Sequence, residues 1–288
     1  MKRSFFTYIY AAIEIITHTY PEITRVFEDS VDACEDLFNY SFDLPKPSEM
    51  LVQALFRSNI NYLIGSYMAL IQTIPSFALS GMRNVFEGII RGYYYQCNEE
   101  AACASYLYVL SQNEAGVGVE DLDVDIMKGV IDQIENVELK RLCQKVIDKE
   151  QFSEEDKKLI GNLDDPSRHF KHNIGKLYTK SLQKEMKCVW RWLSRYNHAG
   201  IRGRYRDLHI EEENLPIYGS ELLSLLRLLA GNIIMYLEVI DHNQKDVKFL
   251  GDILDLTEHL PKNWPNKKEY QGKFTYINSD AINKLLDS

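Results

Sequence analysis

An arginine and a histidine stand seven residues apart in the stretch WRWLSRYNHAGIRGRYRD, residues 190–207. On a helix, seven steps of about 100° bring Arg191 and His198 to within about 20° of each other, two turns apart. Ser194 and Arg195 fill the turn between them. A guanidinium here would neutralise charge building on a phosphorane-like transition state. An imidazole that titrates near neutrality would take the proton of a ribose 2′-hydroxyl, or return one to the leaving oxygen. That chemistry cuts RNA without a metal ion. No carboxylate cluster beside the pair suggests a metal site, and no cofactor is expected.

The pair sits in a strongly basic segment. From Pro166 to Arg206 there are eleven Lys and Arg and a single acid, Glu185, in a chain whose net charge is -9. A local positive surface on an acidic body attracts a polyanion without making the whole protein adhere to nucleic acid. Lys184, Lys187, Arg202, Arg204 and Arg206 are the candidate phosphate contacts. Trp192 is a candidate stacking surface for an unpaired base, and Trp190, Tyr196 and Tyr205 lie among the same charges. Leu182, Met186, Val189, Leu193 and Tyr196 make an apolar stripe at helical spacing, with Lys184, Lys187, Arg191, Arg195 and His198 opposite. Two plainer readings compete with polyanion binding. The basic face is simply solvated, or it docks on the chain's own acidic region. Residues 114–165 hold 15 acidic and 7 basic residues.

A second set of charges stands out by its setting. Arg83, Glu87 and Arg91 are the three charges between residues 58 and 98, at i, i+4 and i+8, with Tyr94 beside them on the same face. A charge in an apolar helix needs a partner. The trio reads either as an internal ladder fixing helix register or as the lining of a cleft, with Glu87 orienting His198 or an arginine.

The Arg-x6-His pair on a helix, in an all-helical chain, resembles the HEPN domain. The resemblance implies a helical bundle that commonly dimerises, and a metal-independent ribonuclease of the kind found in toxin–antitoxin and phage-defence systems. It places the motif on Arg191 and His198, with Glu87, Ser194 or Arg195 in support. The sequence departs from the motif at Trp192, where a polar residue, often Asn, is usual. Arg83, Glu87, Ser194 and His198 are also similar to an Arg-x3-Glu helix followed by Ser-x3-His in a group of prokaryotic helical proteins. An RNA or other polyanion, a second copy of the chain, and a partner protein are the partners these likenesses and the basic surface imply. A non-catalytic helical protein that binds nucleic acid or a partner protein through 166–206 is the alternative function.

The elements that must carry these residues are helical. Periodicity of 3.6 dominates and hairpin signals are absent. Helices are expected over about 4–19, from Pro21, over 48–72, 75–97, 99–112, 174–199 and 219–240, with short ones inside an acidic peripheral insertion at 113–165. The chain reads as one all-α domain over 1–288, a bundle of about eight to ten helices. Its tail from 244 is mixed, with a short strand at 273–278. Residues 58–82 are uncharged, but Pro75 and scattered amides make them two core helices rather than a membrane span. Glu14 interrupts the apolar run that would form a signal peptide. Five unpaired-looking cysteines, without C-x-x-C spacing, fit a cytoplasmic setting. His169 and His172 have the His-x2-His spacing of metal ligands but no evident third ligand. No Walker loop, dinucleotide fingerprint or nucleophile elbow is present.

Overall fold

Helix after helix begins at a residue that suits a start. A computed structural model describes residues 5–43, 45–112, 120–164, 169–194, 215–240 and 248–258. The fold is all-α, with no strand among the described residues. Pro21, Pro47 and Pro75 each occupy the first position of a helix, where a missing N–H costs nothing. Asn98, Asn136 and Ser153 cap others, each side chain accepting a backbone N–H three residues on. The described residues divide into two compact units.

Unit 1 contains α1 (Phe5–Thr19), α2 (Pro21–Asp32) and the short α3 (Glu35–Phe38). It also takes residues 56–71 of α4 (Pro47–Ile71), 75–89 of α5 (Pro75–Gln96) and 184–194 of α11 (Lys180–Ser194). Two later helices complete it, α12 (Leu215–Leu237) and α13 (Lys248–Glu258). Helix α2 packs on α1, α12 and α13. Phe56 and Tyr236 stack at 4.4 Å between ring centroids in the centre, and Phe27 stacks on Tyr67 at 4.6 Å. One polar contact crosses this apolar interior. Asn59 Nδ2 donates to Asn232 Oδ1 at 2.8 Å, and Asn232 Nδ2 donates to the Phe56 carbonyl at 3.2 Å. Gly88 is what admits Asn59, because a β-carbon there would collide with its amide; Gly81 does the same for Ser66. Residues 58–82 are two helices, α4 and α5, separated at 72–74. Among the described residues one helix is long and apolar enough to cross a membrane, Tyr218–Leu237, and 78% of its most apolar window is buried inside the protein.

Unit 2 is built from residues 40–55 and 90–183. It holds α6 (Glu99–Ser111), α7 (Asp121–Val130), a 3-10 turn (Ile131–Gln133), α8 (Val137–Ile147), α9 (Glu154–Leu163) and α10 (His169–Leu177). The acidic region, expected as a peripheral insertion, packs its apolar residues against α6. Ile126, Met127, Val130, Leu139, Leu142, Val146 and Ile160 share one buried core with Cys103 and Leu107 of α6. Glu100 on α6 accepts the backbone N–H groups of Glu135 and Asn136 at 2.6 and 2.8 Å, tying α6 to the start of α8. Its first helix starts at Asp121, where Glu120 and Asp123 form a capping box.

One expectation needs correction. The single helix expected over 174–199 is two helices, α10 and α11, parted at Tyr178 and Thr179. Thr179 favours a cap over a helix interior, and the Gln183 side-chain amide donates to the Tyr178 carbonyl at 2.8 Å. The tail contains α13, whereas the strand expected at 273–278 lies outside the described residues, as does any structure of 259–288.

Asp156 is the most heavily solvated carboxylate within unit 2, by protein rather than water. Burial pushes its carboxyl up, but Lys145 at 2.7 Å, Ser153 and Arg141 at 2.9 Å outweigh burial and hold it well below the ordinary range. Its stabilising charge is therefore complete above about pH 4, the ordinary aspartate range, and is lost as pH falls toward the depressed folded value. Asp156→Asn should cost about 1.5–3 kcal/mol near neutral pH. In urea melts, the gap between wild type and variant should narrow as the pH is lowered through about 4 toward 2; a gap that widens would show that other groups dominate.

Candidate nucleic-acid interface

Helix α11 is amphipathic by spacing. Taking Trp190 as zero and about 100° per residue, Met186, Val189, Leu193 and Ser194 fall within an arc from about -100° to +40°, and all four are buried. Lys180, Lys184, Lys187 and Arg191 fall between about 60° and 120° on the same wheel. Lys180, Lys184 and Arg191 are exposed and Lys187 is half-buried. These cations make one stripe about 16 Å long at 1.5 Å per residue. Leu182 departs from the expected apolar stripe, since it is 41% exposed near the start of the helix.

Trp190 is what holds α11 to α5 within unit 1. Its indole Nε1 donates to Glu87 Oε1, which also accepts from Arg83 Nε at 2.8 Å. The Arg83 guanidinium carbon lies 4.8 Å from the centroid of the Trp190 ring, a cation–π contact. The Arg83 and Glu87 side chains are 21% and 24% exposed, so the ion pair is largely screened from water. Glu87 thus orients an arginine, one of the two partners foreseen for it, and its second partner is Trp190. Sequence reasoning read Trp190 only as a surface for bases. No local signal marks its pairing with Glu87, which spans 103 positions.

The remaining site residues divide as follows. Ser194 is buried, and its hydroxyl donates to the Trp190 carbonyl inside α11. Arg191 and Trp192 belong to α11. Arg195, His198, Arg202, Arg204 and Arg206 lie outside the described residues. Arg91 does not complete a ladder with Glu87: its Nε is buried with no hydrogen-bond partner among the described residues. Tyr94 pairs instead with His172 and Asn98 in unit 2.

Electrostatics separates the two charged regions. None of Lys171, Lys176, Lys180, Lys184, Lys187 and Arg191 makes an ion pair among the described residues. Several acids of the acidic region pair with cations of the same region, mostly from a neighbouring helix. Asp156 takes Arg141 and Lys145, Asp121 takes Lys149 at 2.6 Å, and Glu154 takes Lys157 at 2.8 Å. The described residues do not contain a group of three or more His, Cys, Asp or Glu able to hold a metal ion. No family model, curated protein or solved structure matches the chain.

The clamp predicts a graded response at Glu87. Glu87→Gln keeps an acceptor for the Trp190 N–H but loses the charge facing Arg83. Glu87→Leu loses both and should destabilise the chain further, by about 1–3 kcal/mol in chemical denaturation. In a double-mutant cycle, Glu87→Leu and Trp190→Phe should couple by at least about 0.5 kcal/mol; strict additivity would mean that the indole contact does not hold the helix.

Proposed function

We propose that the chain binds RNA through the basic stripe of α11 and that Arg191, paired with His198, cleaves it without a metal ion. The observation that carries the binding is the run of cations on one helix face, exposed except for half-buried Lys187 and without ion pairs among the described residues. Solvated faces of ordinary helices are laced with acids at i±4, and this one is not. Each phosphate met by such a cation releases a counterion, so the affinity is expected to be electrostatic and steep in salt.

The catalytic half rests on residue chemistry. Arg191 supplies a fixed positive charge for the oxygens of the transition state, and His198 supplies the proton transfer. The geometry supports Arg191 as a solvent-facing cation at the end of α11. The HEPN resemblance supports the same two residues, and Glu87 enters as a positioning group acting through Trp190. Binding without cleavage is the second reading. It is favoured by Ser194, whose hydroxyl is turned back into its own helix rather than toward a substrate.

The decisive assay incubates purified chain with RNA in EDTA, beside folded Arg191→Ala and His198→Ala variants. Fragments ending in 2′,3′-cyclic phosphate should appear with the wild type and not with either variant. Equal cleavage by all three, or by none, removes the catalytic assignment. Binding is read separately from the slope of log K against log salt on single-stranded RNA. Lys184→Ala and Arg191→Ala should each flatten it by about 0.7, and an unchanged slope removes α11 from the interface.

A further inference from the structure

Unit 1 carries an exposed surface of a different kind from the α11 stripe. Ten large hydrophobic side chains are exposed among the described residues, and four of them fall within sixteen positions. These are Tyr62, Ile64 and Met68 on α4 and Phe77 on α5. Apolar residues exposed singly are ordinary on a protein surface, whereas a group of them marks a place of contact.

Helical geometry gathers the α4 members on one face. Taking Gly65 as zero and about 100° per residue, Ser58, Asn61, Tyr62 and Met68 fall within about 60° of it, and Ile64 at about -100°. All five are exposed, with Gly65 half-buried among them. Phe77 continues the face onto α5. It stands one turn before Gly81 and about 40° from it, and Gly81 is the residue of α5 that packs on Tyr62 and Ser66.

No charge interrupts this surface, since the chain carries none from Ser58 to Met82. The nearest charges are occupied. Arg57, at the edge of the α4 face, donates to the Phe38 carbonyl. Arg83 and Glu87, further along α5, hold each other and Trp190. Gly65 also leaves room, because a β-carbon built on it meets nothing within 4 Å. Another helix can therefore come close to α4 at that point.

Charge and area together select the occupant. Two bodies of net charge -9 repel over most of their surfaces, and an uncharged patch is where they meet without that cost. A charged partner would lose water from its charges here and find no counter-charge. At 45, 39, 43 and 65% exposure, Tyr62, Ile64, Met68 and Phe77 leave roughly 400 Å² open per copy. Two copies meeting there cover most of the about 1,000 Å² that a specific interface needs.

We infer that the uncharged face of α4 and the start of α5, centred on Gly65, is where a second copy of the chain docks. A two-fold axis through the face sets each apolar residue against its like or its neighbour. The interface uses none of the α11 cations, so it stands or falls apart from RNA binding.

Sedimentation equilibrium of the full chain, over a range of protein concentrations, at about 0.1 M and about 1 M sodium chloride, tests this. The chain should dimerise, and the dimer should tighten in the higher salt. Screening removes the repulsion between the acidic bodies and leaves the apolar contact in place. Met68→Glu sets like charges against each other across the seam, and Gly65→Leu fills the space the second copy enters. Each should weaken the dimer at least about tenfold. Thermal melting of the diluted chain checks that the variants fold, and Phe77→Ser serves if either does not. A dimer that loosens as salt rises would place the contact on charged surfaces and overturn the proposal. So would a dimer that all of these variants leave unchanged. A chain that stays monomeric in both salts while still binding RNA would count against this face alone.

Discussion

A single carboxylate oxygen on α5 fixes which way α11 faces. Glu87 Oε1 takes the Trp190 indole N–H and the Arg83 guanidinium together, and Arg83 lies over the indole ring. A half-buried ion pair of this kind contributes little net stability, because desolvation offsets the attraction. Its effect is orientational. With Trp190 held toward Glu87, helical geometry puts Arg191 about 100° away and Lys184 about 120° away. Turning the helix to release the stripe would drag Met186, Val189 and Leu193 into water, at roughly 1.5–3 kcal/mol for each fully buried side chain. The clamp and the apolar arc therefore specify one rotation, which turns the cations away from the buried arc.

The chain's charge asymmetry survives folding because its two halves are handled differently. Acids in unit 2 find cations one or two turns away, or on the neighbouring helix, so Asp156, Asp121 and Glu154 are answered locally. The described cations of α10 and α11 make no ion pair among the described residues. A positive stripe on a protein of net charge -9 is attractive at short range, while the body repels polyanions that arrive in other orientations. This pattern favours one mode of engagement over general adhesion.

Much of the fold was legible because it depends on local signals. Pro21 and Pro75 mark helix starts by what they do to their own backbone, and the periodicity of α11 separates its buried arc from its cations. What was illegible depends on distance or competition. The break at Thr179 interrupts a periodic pattern that runs on smoothly, so pattern alone could not find it. The shared core of the acidic region was hidden by its charge, since its buried residues are a minority in a hydrophilic stretch. Glu87 reaches Trp190 across 103 positions and Tyr94 reaches His172 across 78, separations at which spacing carries no information. Tyr94 was noticed for its helical face with Arg91. Its partner was visible only as half of a weak His-x2-His pattern.

The position of Glu87 has its own cause, in the apolar interior of unit 1. Asn232 on α12 holds Asn59 on α4, and Asn59 fits because position 88 on α5 lacks a β-carbon. A buried amide pair is unforgiving, since displacing either partner strands donors and acceptors away from water. It therefore sets the rotation of α5 against α4, with Gly81 and Gly88 on the contact side. Residue 87 is one step of about 100° from Gly88, and residue 83 is about 140° from it. Both must leave the α4 contact on the same flank, and that is the flank on which Trp190 meets them. The orientation of the basic stripe is thus inherited through a chain of contacts that begins with two uncharged amides, and residues with no chemistry of their own decide where Arg191 points.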